Sequence, residues 1–281
     1  MIPQEFDYAS PATLKEALQL IAGGERRILA GGMSLIPMMK LRLATPDQVV
    51  DLGRVPGLNG ISEAGGMVKI GAMATHHDVE TSPVVRGRCP LLAETAAHIG
   101  DVQVRNMGTI GGSIAHADPA ADYPASLVAL DAQVRLVSAG GDRTVAATDF
   151  FLDAFTTAIE PGEIVLEVQV PVEEASEGYR YEKLAHPASG FAVVGVAVRL
   201  KKAAGKISTA RIGVTGMSGR AFRARKAESL LESGADAKTA AAAVGEGEEA
   251  NSDLYASADY RRHLAQVHAA RAIAAAISRA S

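Results

Sequence analysis

Two glycine pairs in this chain are flanked by residues that suit a phosphate group. The first is Gly31-Gly32, followed by Ser34, and the second is Gly111-Gly112, with Thr109 before it and Ser113 after it. A glycine pair beside a hydroxyl residue lets backbone N–H groups turn toward an anion and lets that anion approach closely. Two such loops would hold both halves of a pyrophosphate, so a dinucleotide is the first ligand that the sequence suggests.

The familiar nucleotide-binding signatures are absent from the chain. No G-x-G-x-x-G segment follows a predicted strand with an acidic residue downstream, as a Rossmann fold needs. The phosphate-loop signature of nucleotide hydrolases is missing too, because Gly205-Lys206 is followed by Ile207. A dinucleotide would therefore need a different cradle. We predict that the other glycine pairs are turns, namely Gly23-Gly24, Gly65-Gly66 and Gly140-Gly141.

Length and composition are those of an ordinary globular protein with room for two domains. The chain has 281 residues, of which 48% are hydrophobic and 21% charged, and its net charge of −4 predicts neither nucleic-acid binding nor attraction to an anionic membrane. The longest apolar run, residues 191–198, is too short to span a bilayer. The first residues show no secretory signal. We therefore expect a cytoplasmic protein without stable membrane insertion.

The chain has one cysteine, Cys89, which we expect to be a buried packing thiol. An iron–sulfur cluster normally takes about four thiolates, so this chain cannot hold one alone. His76-His77-Asp78 and His116-x-Asp118 lack the spacing of a paired-histidine metal site. No Ser-His-Asp arrangement or G-x-S-x-G elbow is present. We therefore predict no metal site and no catalytic side chain.

Apolar periodicity predicts an α+β protein. A short strand runs into the first glycine pair, and a helix follows it with Ser34 as its cap. Residues 60–74 form a predicted hairpin around Gly65-Gly66. Residues 171–178 are acidic and lack periodicity, so a domain boundary is expected there. After it, three predicted strands precede three predicted helices.

Two residues beyond the loops have competing interpretations. Asp122 stands at a predicted helix start, where its carboxylate can cap the helix or accept a hydrogen bond from a sugar hydroxyl. Lys183 lies on a predicted strand, where a lysine is usually a solvated edge charge.

The glycine loops and their surroundings resemble a known family. Residues 30–42 resemble the first flavin loop of the FAD-binding medium subunits of molybdenum hydroxylases, above all those of carbon monoxide dehydrogenase. Residues 103–113 resemble the second loop, and residues 117–124 continue it. Further likeness at residues 162–164, 181–183 and 260–264 extends the match to nearly the whole chain.

The resemblance implies a fold and a division into domains. The fold would be α+β, with a two-lobed FAD-binding part of the vanillyl-alcohol-oxidase (PCMH) type. A smaller C-terminal α+β domain would follow, made of a three-stranded antiparallel sheet and helices. The FAD-binding domain would span residues 1–172, with lobes of approximately 1–55 and 56–172, and the second domain would span 176–281.

The resemblance also implies which residues bind FAD. Backbone amides of both loops would grip the pyrophosphate, and Asp122 would bind a hydroxyl of the adenosine or ribityl part. Bulky residues at Gly32 or Gly111 would then exclude FAD without unfolding the chain, because they would fill the space of the pyrophosphate. Met33 and Phe191 stand where relatives often carry other residues. The implied cofactor-binding residues are Leu29, Ala30, Gly31, Gly32, Met33, Ser34, Leu35, Thr109, Ile110, Gly111, Gly112, Ser113, His116, Asp122, Val165, Leu166 and Lys183.

The implied function is that of an electron-transfer subunit. A partner subunit with the molybdopterin cofactor would oxidise substrate, a small subunit with 2Fe-2S clusters would pass electrons on, and FAD in this chain would deliver them to an external acceptor. The family suggests a dimer of heterotrimers. The alternatives are a stand-alone flavin-dependent oxidoreductase and a scaffold subunit that has lost FAD. The substrate (carbon monoxide, an aldehyde, a purine or another N-heterocycle) and the acceptor (oxygen, a quinone, NAD or a protein) stay open.

Overall fold

The computed structural model describes residues 1–22, 26–174 and 176–281. The predicted turn at Gly23-Gly24 lies outside these residues. Within them the strands form four sheets, and no helix is both long and apolar enough to cross a lipid bilayer.

The N-terminal residues form a parallel three-stranded sheet with helices packed on it. Its elements are β1 (Asp7–Ala9), α1 (Leu14–Ile21), β2 (Arg26–Leu29), α2 (Leu35–Lys40) and β3 (Gln48–Asp51), followed by a 3₁₀ turn at Leu52–Arg54. The strand order is β1-β3-β2, with both pairs parallel. The first glycine pair therefore follows the carboxyl end of a parallel strand, which is the edge where ligands of open α/β sheets bind.

A five-stranded antiparallel sheet and a layer of helices come next. Its strands and the intervening short hairpin are β4 (Ile61–Ala64), β5 (Met67–Gly71), β6 (Gln133–Ser138), β7 (Gly141–Ala146), β8 (Phe151–Asp153), β9 (Thr156–Thr157) and β10 (Ile164–Pro171). Its helices are α3 (His76–Thr81), α4 (Pro83–Arg88), α5 (Pro90–Ala97), α6 (Val102–Met107), α7 (Ile110–His116), α8 (Tyr123–Ala129) and α9 (Ala147–Phe150). The sheet order is β4-β5-β10-β6-β7. The turns at Gly65-Gly66 and Gly140-Gly141 join neighbouring strands, as predicted. Cys89 is fully buried in this core, as expected for a packing thiol.

The C-terminal residues form an antiparallel sheet covered by helices. The elements are β11 (Gly178–Ala185), β12 (Ala192–Ala203), β13 (Lys206–Thr215), β14 (Phe222–Arg223), α10 (Arg225–Glu232), α11 (Ala237–Ala242) and α12 (Ala258–Arg279). The three predicted strands are present, and the two-residue β14 adds a fourth beside β13. The alanine-rich α12 packs against this sheet in a core of its own.

The two cores meet where α8 packs on the C-terminal sheet. The Thr215 hydroxyl lies within hydrogen-bond distance of the carbonyl oxygens of Pro119 and Ala121, at 2.9 and 2.7 Å. Arg223 binds the carboxylate of Asp131 at 2.7 Å. These contacts hold the start and the end of α8 against β13 and β14.

Candidate functional site

The first glycine loop, residues 30–34 between β2 and α2, presents unused backbone donors. Gly32 has a φ of +73°, in the left-handed region where glycine carries no Cβ penalty. The first helical bond runs from Ile36 N–H to Gly32 O, at 3.1 Å. The N–H groups of residues 31–35 donate to no acceptor among the described residues. We call residues 30–34 loop 1, and it leaves a row of donors available to an anion.

The predicted capping bond of Ser34 is wrong. Ser34 occupies the N-cap position of α2, but its side chain accepts no hydrogen bond from the helix. Its φ of −104° and ψ of −49° are helical, whereas a capping residue normally has an extended backbone. The Ser34 hydroxyl is therefore not engaged in holding α2.

The second glycine loop, residues 108–113, uses its backbone donors inside the protein; we call it loop 2. Thr109 caps α7, because its hydroxyl oxygen accepts from Gly112 N–H at 3.1 Å. The N–H groups of Ile110 and Gly111 donate to Ala74 O and Ala72 O, at 3.0 and 2.9 Å. These bonds tie loop 2 to the segment that leaves β5. The N–H groups of Ile110, Gly111 and Gly112 are thus already engaged within the protein, unlike those of loop 1.

The two loops lie directly against each other. A Cβ built on Gly31 would stand 1.9 Å from the carbonyl oxygen of Met107, just before loop 2. A Cβ built on Gly112 would stand 3.5 Å from the Cβ of Ala30. Only glycine at position 31 permits this approach of the backbones, so the structure brings together the two loops that the sequence pairs.

The physical reason predicted for the effect of a bulky residue at Gly111 is wrong. A Cβ there would fall 2.5 Å from the Cβ of Ala72 and 2.6 Å from its carbonyl oxygen. The added carbon would therefore collide with Ala72, which packs against loop 2, and would not occupy the space expected for the pyrophosphate. At Gly32 the added carbon would meet Ile36 Cδ1 at 2.6 Å, within loop 1 and α2.

Hydrogen bonds connect loop 2 with the predicted residues on β10. Leu166 O accepts from Ala72 N–H at 3.0 Å, and Ala72 O in turn accepts from Gly111 N–H. Leu166 lies at an irregularity in the pairing of β10 with β6, and its neighbour Val165 is buried. The sequence offered no signal for Ala72, because its role is a backbone contact.

His116 and His76 flank the two ends of loop 2 and α7. The ring of His116, at the end of α7, lies 5.1 Å from that of Phe155, and burial lowers the pKa of His116. His76 is buried next to Gly108, whose carbonyl oxygen accepts a hydrogen bond from the backbone N–H of His76 at 2.9 Å. Within the described ranges, no three His, Cys, Asp or Glu side chains gather as metal ligands would.

Asp122 and Lys183 form a buried ion pair. Lys183 Nζ stands 2.9 and 3.0 Å from the two carboxylate oxygens of Asp122, and the side chains are 2% and 4% exposed. Lys183 Nζ also donates to His98 O, at the end of α5, at 2.9 Å. Burial raises the pKa of Asp122, while the Lys183 ammonium and the Tyr181 hydroxyl act in the opposite direction. The interpretation of Lys183 as a solvated edge charge is therefore wrong.

The carboxylate of Asp122 does not cap α8, so that alternative is wrong as well. It accepts instead from the Tyr181 hydroxyl, at 2.6 Å. Sequence reasoning missed this tyrosine as a site residue. The signal was available, because residues 181 and 183 lie on the same face of a strand.

Comparison with known proteins places the chain in a family. Residues 4–173 match the family described as FAD binding domain in molybdopterin dehydrogenase, and residues 179–276 match the CO dehydrogenase flavoprotein C-terminal domain. The carbon monoxide dehydrogenase medium chain of Hydrogenophaga pseudoflava is 41% identical over 285 residues, which cover 99% of each chain. The nicotine 6-hydroxylase medium subunit of Paenarthrobacter nicotinovorans is 38% identical over 264 residues, covering 92% of this chain and 93% of that one.

A solved structure gives the same result for the fold. The structure of carbon monoxide dehydrogenase from Hydrogenophaga pseudoflava, in a form without the Mo-pyranopterin moiety, aligns with a TM-score of 0.96 at 42% identity. The alignment covers 100% of both chains. The predicted family and the α+β class with its two-part organisation are thereby confirmed. The chain belongs to the FAD-binding medium subunits of the molybdenum hydroxylases, and it is the flavoprotein subunit of an oxidoreductase.

Proposed function

We propose that this subunit holds the FAD pyrophosphate mainly with loop 1. The observation that carries the proposal is the row of N–H groups at residues 31–35, which have no acceptor among the described residues. Such a row suits the phosphate oxygens of FAD, since an unpaired backbone donor is costly once it is covered. Loop 2 braces loop 1 from behind, and Leu29, Met33 and Leu35 border the same donors.

The remaining predicted contacts belong to the same proposal. Beyond the pyrophosphate, the cofactor would be bordered by the hydroxyl of Ser113, the ring of His116 and the side chains of Val165 and Leu166. Asp122 and Lys183 would approach it from the joint between the two cores. Bound FAD supplies reversible electron transfer, while the residues of this chain bind it and orient it.

We propose further that the electrons come from 2Fe-2S clusters of a small partner subunit and leave to an external acceptor. The relatives named above are called medium chain and medium subunit, which fits an assembly with smaller and larger partners. The single cysteine of this chain agrees with clusters held elsewhere. The proposed assembly is a dimer of heterotrimers in the cytoplasm, with the two domains of this chain dividing between residues 172 and 176.

The test is purification of the complex from its native cell, with identification of its chains and cofactors. We expect one FAD in this chain, and iron–sulfur and molybdopterin cofactors in its partners. Titration of the isolated apo-chain with FAD should give one saturable site. A colourless chain that binds no FAD would overturn the flavin proposal, and turnover by the isolated chain would favour a stand-alone oxidoreductase instead.

A further inference from the structure

We propose that Tyr181 is a positioning residue of the flavin site, which acts by holding the Asp122–Lys183 pair in place. This inference rests on the proposed binding of FAD. Tyr181 lies on β11, in the C-terminal sheet, and its side chain packs into the same core as α8, which Asp122 precedes. The hydroxyl of Tyr181 therefore links a strand of the C-terminal sheet to the carboxylate at the start of α8.

The tyrosine itself is held from several sides. Its side chain is fully buried, and its backbone N–H donates to Glu94 Oε1 on α5 at 2.8 Å. Its ring meets that of His98 edge to face, with 5.6 Å between the centroids. A Cβ built on Gly195 would stand 2.3 Å from the Tyr181 hydroxyl oxygen, so the absence of a side chain at Gly195 leaves room for that hydroxyl. These contacts fix the position of the Tyr181 hydroxyl independently of its bond to Asp122.

The bond from Tyr181 completes the partners of a buried carboxylate. Oδ1 of Asp122 accepts from Tyr181 at 2.6 Å and faces Lys183 Nζ at 2.9 Å. A hydrogen bond to an ionised acceptor is stronger than a neutral one, and a buried carboxylate that loses a donor is destabilised. Without the hydroxyl, the carboxylate would hold its charge less well and would compensate Lys183 less fully. The ammonium would then present more positive charge to a flavin beside it.

The experiment replaces Tyr181 by Phe, which removes the hydroxyl and keeps the ring. We expect weaker FAD binding and a positive shift of the flavin reduction potential relative to wild type. Tyr179→Phe is the matched control, because Tyr179 lies on the same strand and face and its hydroxyl bonds to no described residue. An equal potential and FAD affinity in the two variants would overturn the inference. A wild-type chain that binds no FAD would overturn the proposed function instead.

A double-mutant cycle separates positioning from simple packing. In the Asp122→Asn background, Tyr181→Phe should shift the potential much less, because the hydroxyl then bonds a neutral amide oxygen and no carboxylate charge is left for it to stabilise. An equal shift in both backgrounds would show that Tyr181 acts on its own and would contradict the proposal. If Tyr181→Phe does not fold, Gly195→Ala displaces the hydroxyl by its added methyl group, and the same positive shift of potential is expected.

Discussion

Loop 1 leaves the N–H groups of residues 31–35 without acceptors among the described residues, whereas loop 2 uses those of Ile110, Gly111 and Gly112 within the protein. Both loops contain a glycine pair and a nearby hydroxyl residue. Gly32 adopts a left-handed backbone conformation, while the absence of a side chain at Gly111 leaves room for the backbone of Ala72. The same short motif therefore leaves its backbone donors without acceptors among the described residues in one place and uses them for packing in the other.

The largest expected effect separates the loops by stability. Gly111→Val should destabilise the apo-protein by about 3 kcal/mol, because the new side chain collides with the backbone of Ala72. Denaturant unfolding of the apo-chain measures this loss. Gly60→Val is the control, since a Cβ at Gly60 has no neighbour within 4 Å and its φ is not in the left-handed region. If Gly111→Val unfolded like wild type yet lost FAD, loop 2 would be a binding loop and the comparison would fail.

Acid should weaken the protein through the histidine behind loop 2. Burial, together with the smaller effect of the Arg105 charge, lowers the pKa of His76 from 6.5 to about 4. Between these values the unfolded chain binds more protons than the folded one, so stability is lost as pH falls through that window. A pKa difference of this size lowers the free energy of unfolding by about 3 kcal/mol once the pH lies below both values.

Unfolding at a series of pH values tests this in two neighbouring variants. His76→Gln should flatten the acid dependence, whereas His77→Gln, at an exposed position, should keep it. Equal slopes in the two variants would remove His76 as the cause.

A smaller effect should distinguish binding from backbone strain at loop 1. Gly32 and Gly57 have φ values of +73° and +81°, so backbone strain from alanine at either position should destabilise the apo-chain by about 1 kcal/mol. Gly32→Ala should cost somewhat more, because its Cβ also meets the end of the Ile36 side chain. Only Gly32→Ala is expected to weaken FAD binding, by about tenfold, because it disturbs the row of free donors. FAD titration of both variants gives the comparison, and equal affinities would argue against loop 1 as the pyrophosphate site.

The smallest effect concerns the two hydroxyl residues. Thr109→Ala should destabilise the chain by about 1 kcal/mol, because it removes the capping bond to Gly112. Ser34→Ala should leave the apo-chain nearly unchanged, because Ser34 makes no capping bond. Thermal or denaturant unfolding of the two apo-variants measures the difference. A comparable loss in both would mean that Ser34 caps α2 after all.

Much of the fold was predictable because its signals are local. The strand before loop 1, the hairpin at Gly65-Gly66 and the burial of Cys89 follow from periodicity, turn residues and hydrophobicity. The strand β14 was not predictable, because two residues are too few to show a period and its pairing depends on β13.

The candidate site was predictable in its loops and not in its side chains. Asp122 at a helix start looked like a cap, yet its partners are Lys183 and Tyr181 in another sheet. A residue type suggests which bonds are possible, and long-range packing selects among them. The expectation for Gly111 failed for the same reason, since Ala72 arrives from a separate segment.

Residue order alone was sufficient for the family, the α+β class and the two loops, because glycine pairs, turn signals and hydrophobic periods act over a few neighbouring positions. Which loop keeps its amides free, and which carboxylate meets which cation, emerged only when distant segments packed together. Backbone donors at residues 110 and 111 found acceptors at residues 74 and 72 through the course of the chain after β5, while those of loop 1 met none among the described residues. Hydrogen bonding is settled by distance and direction in space, and neither is written in the neighbours of a residue along the chain.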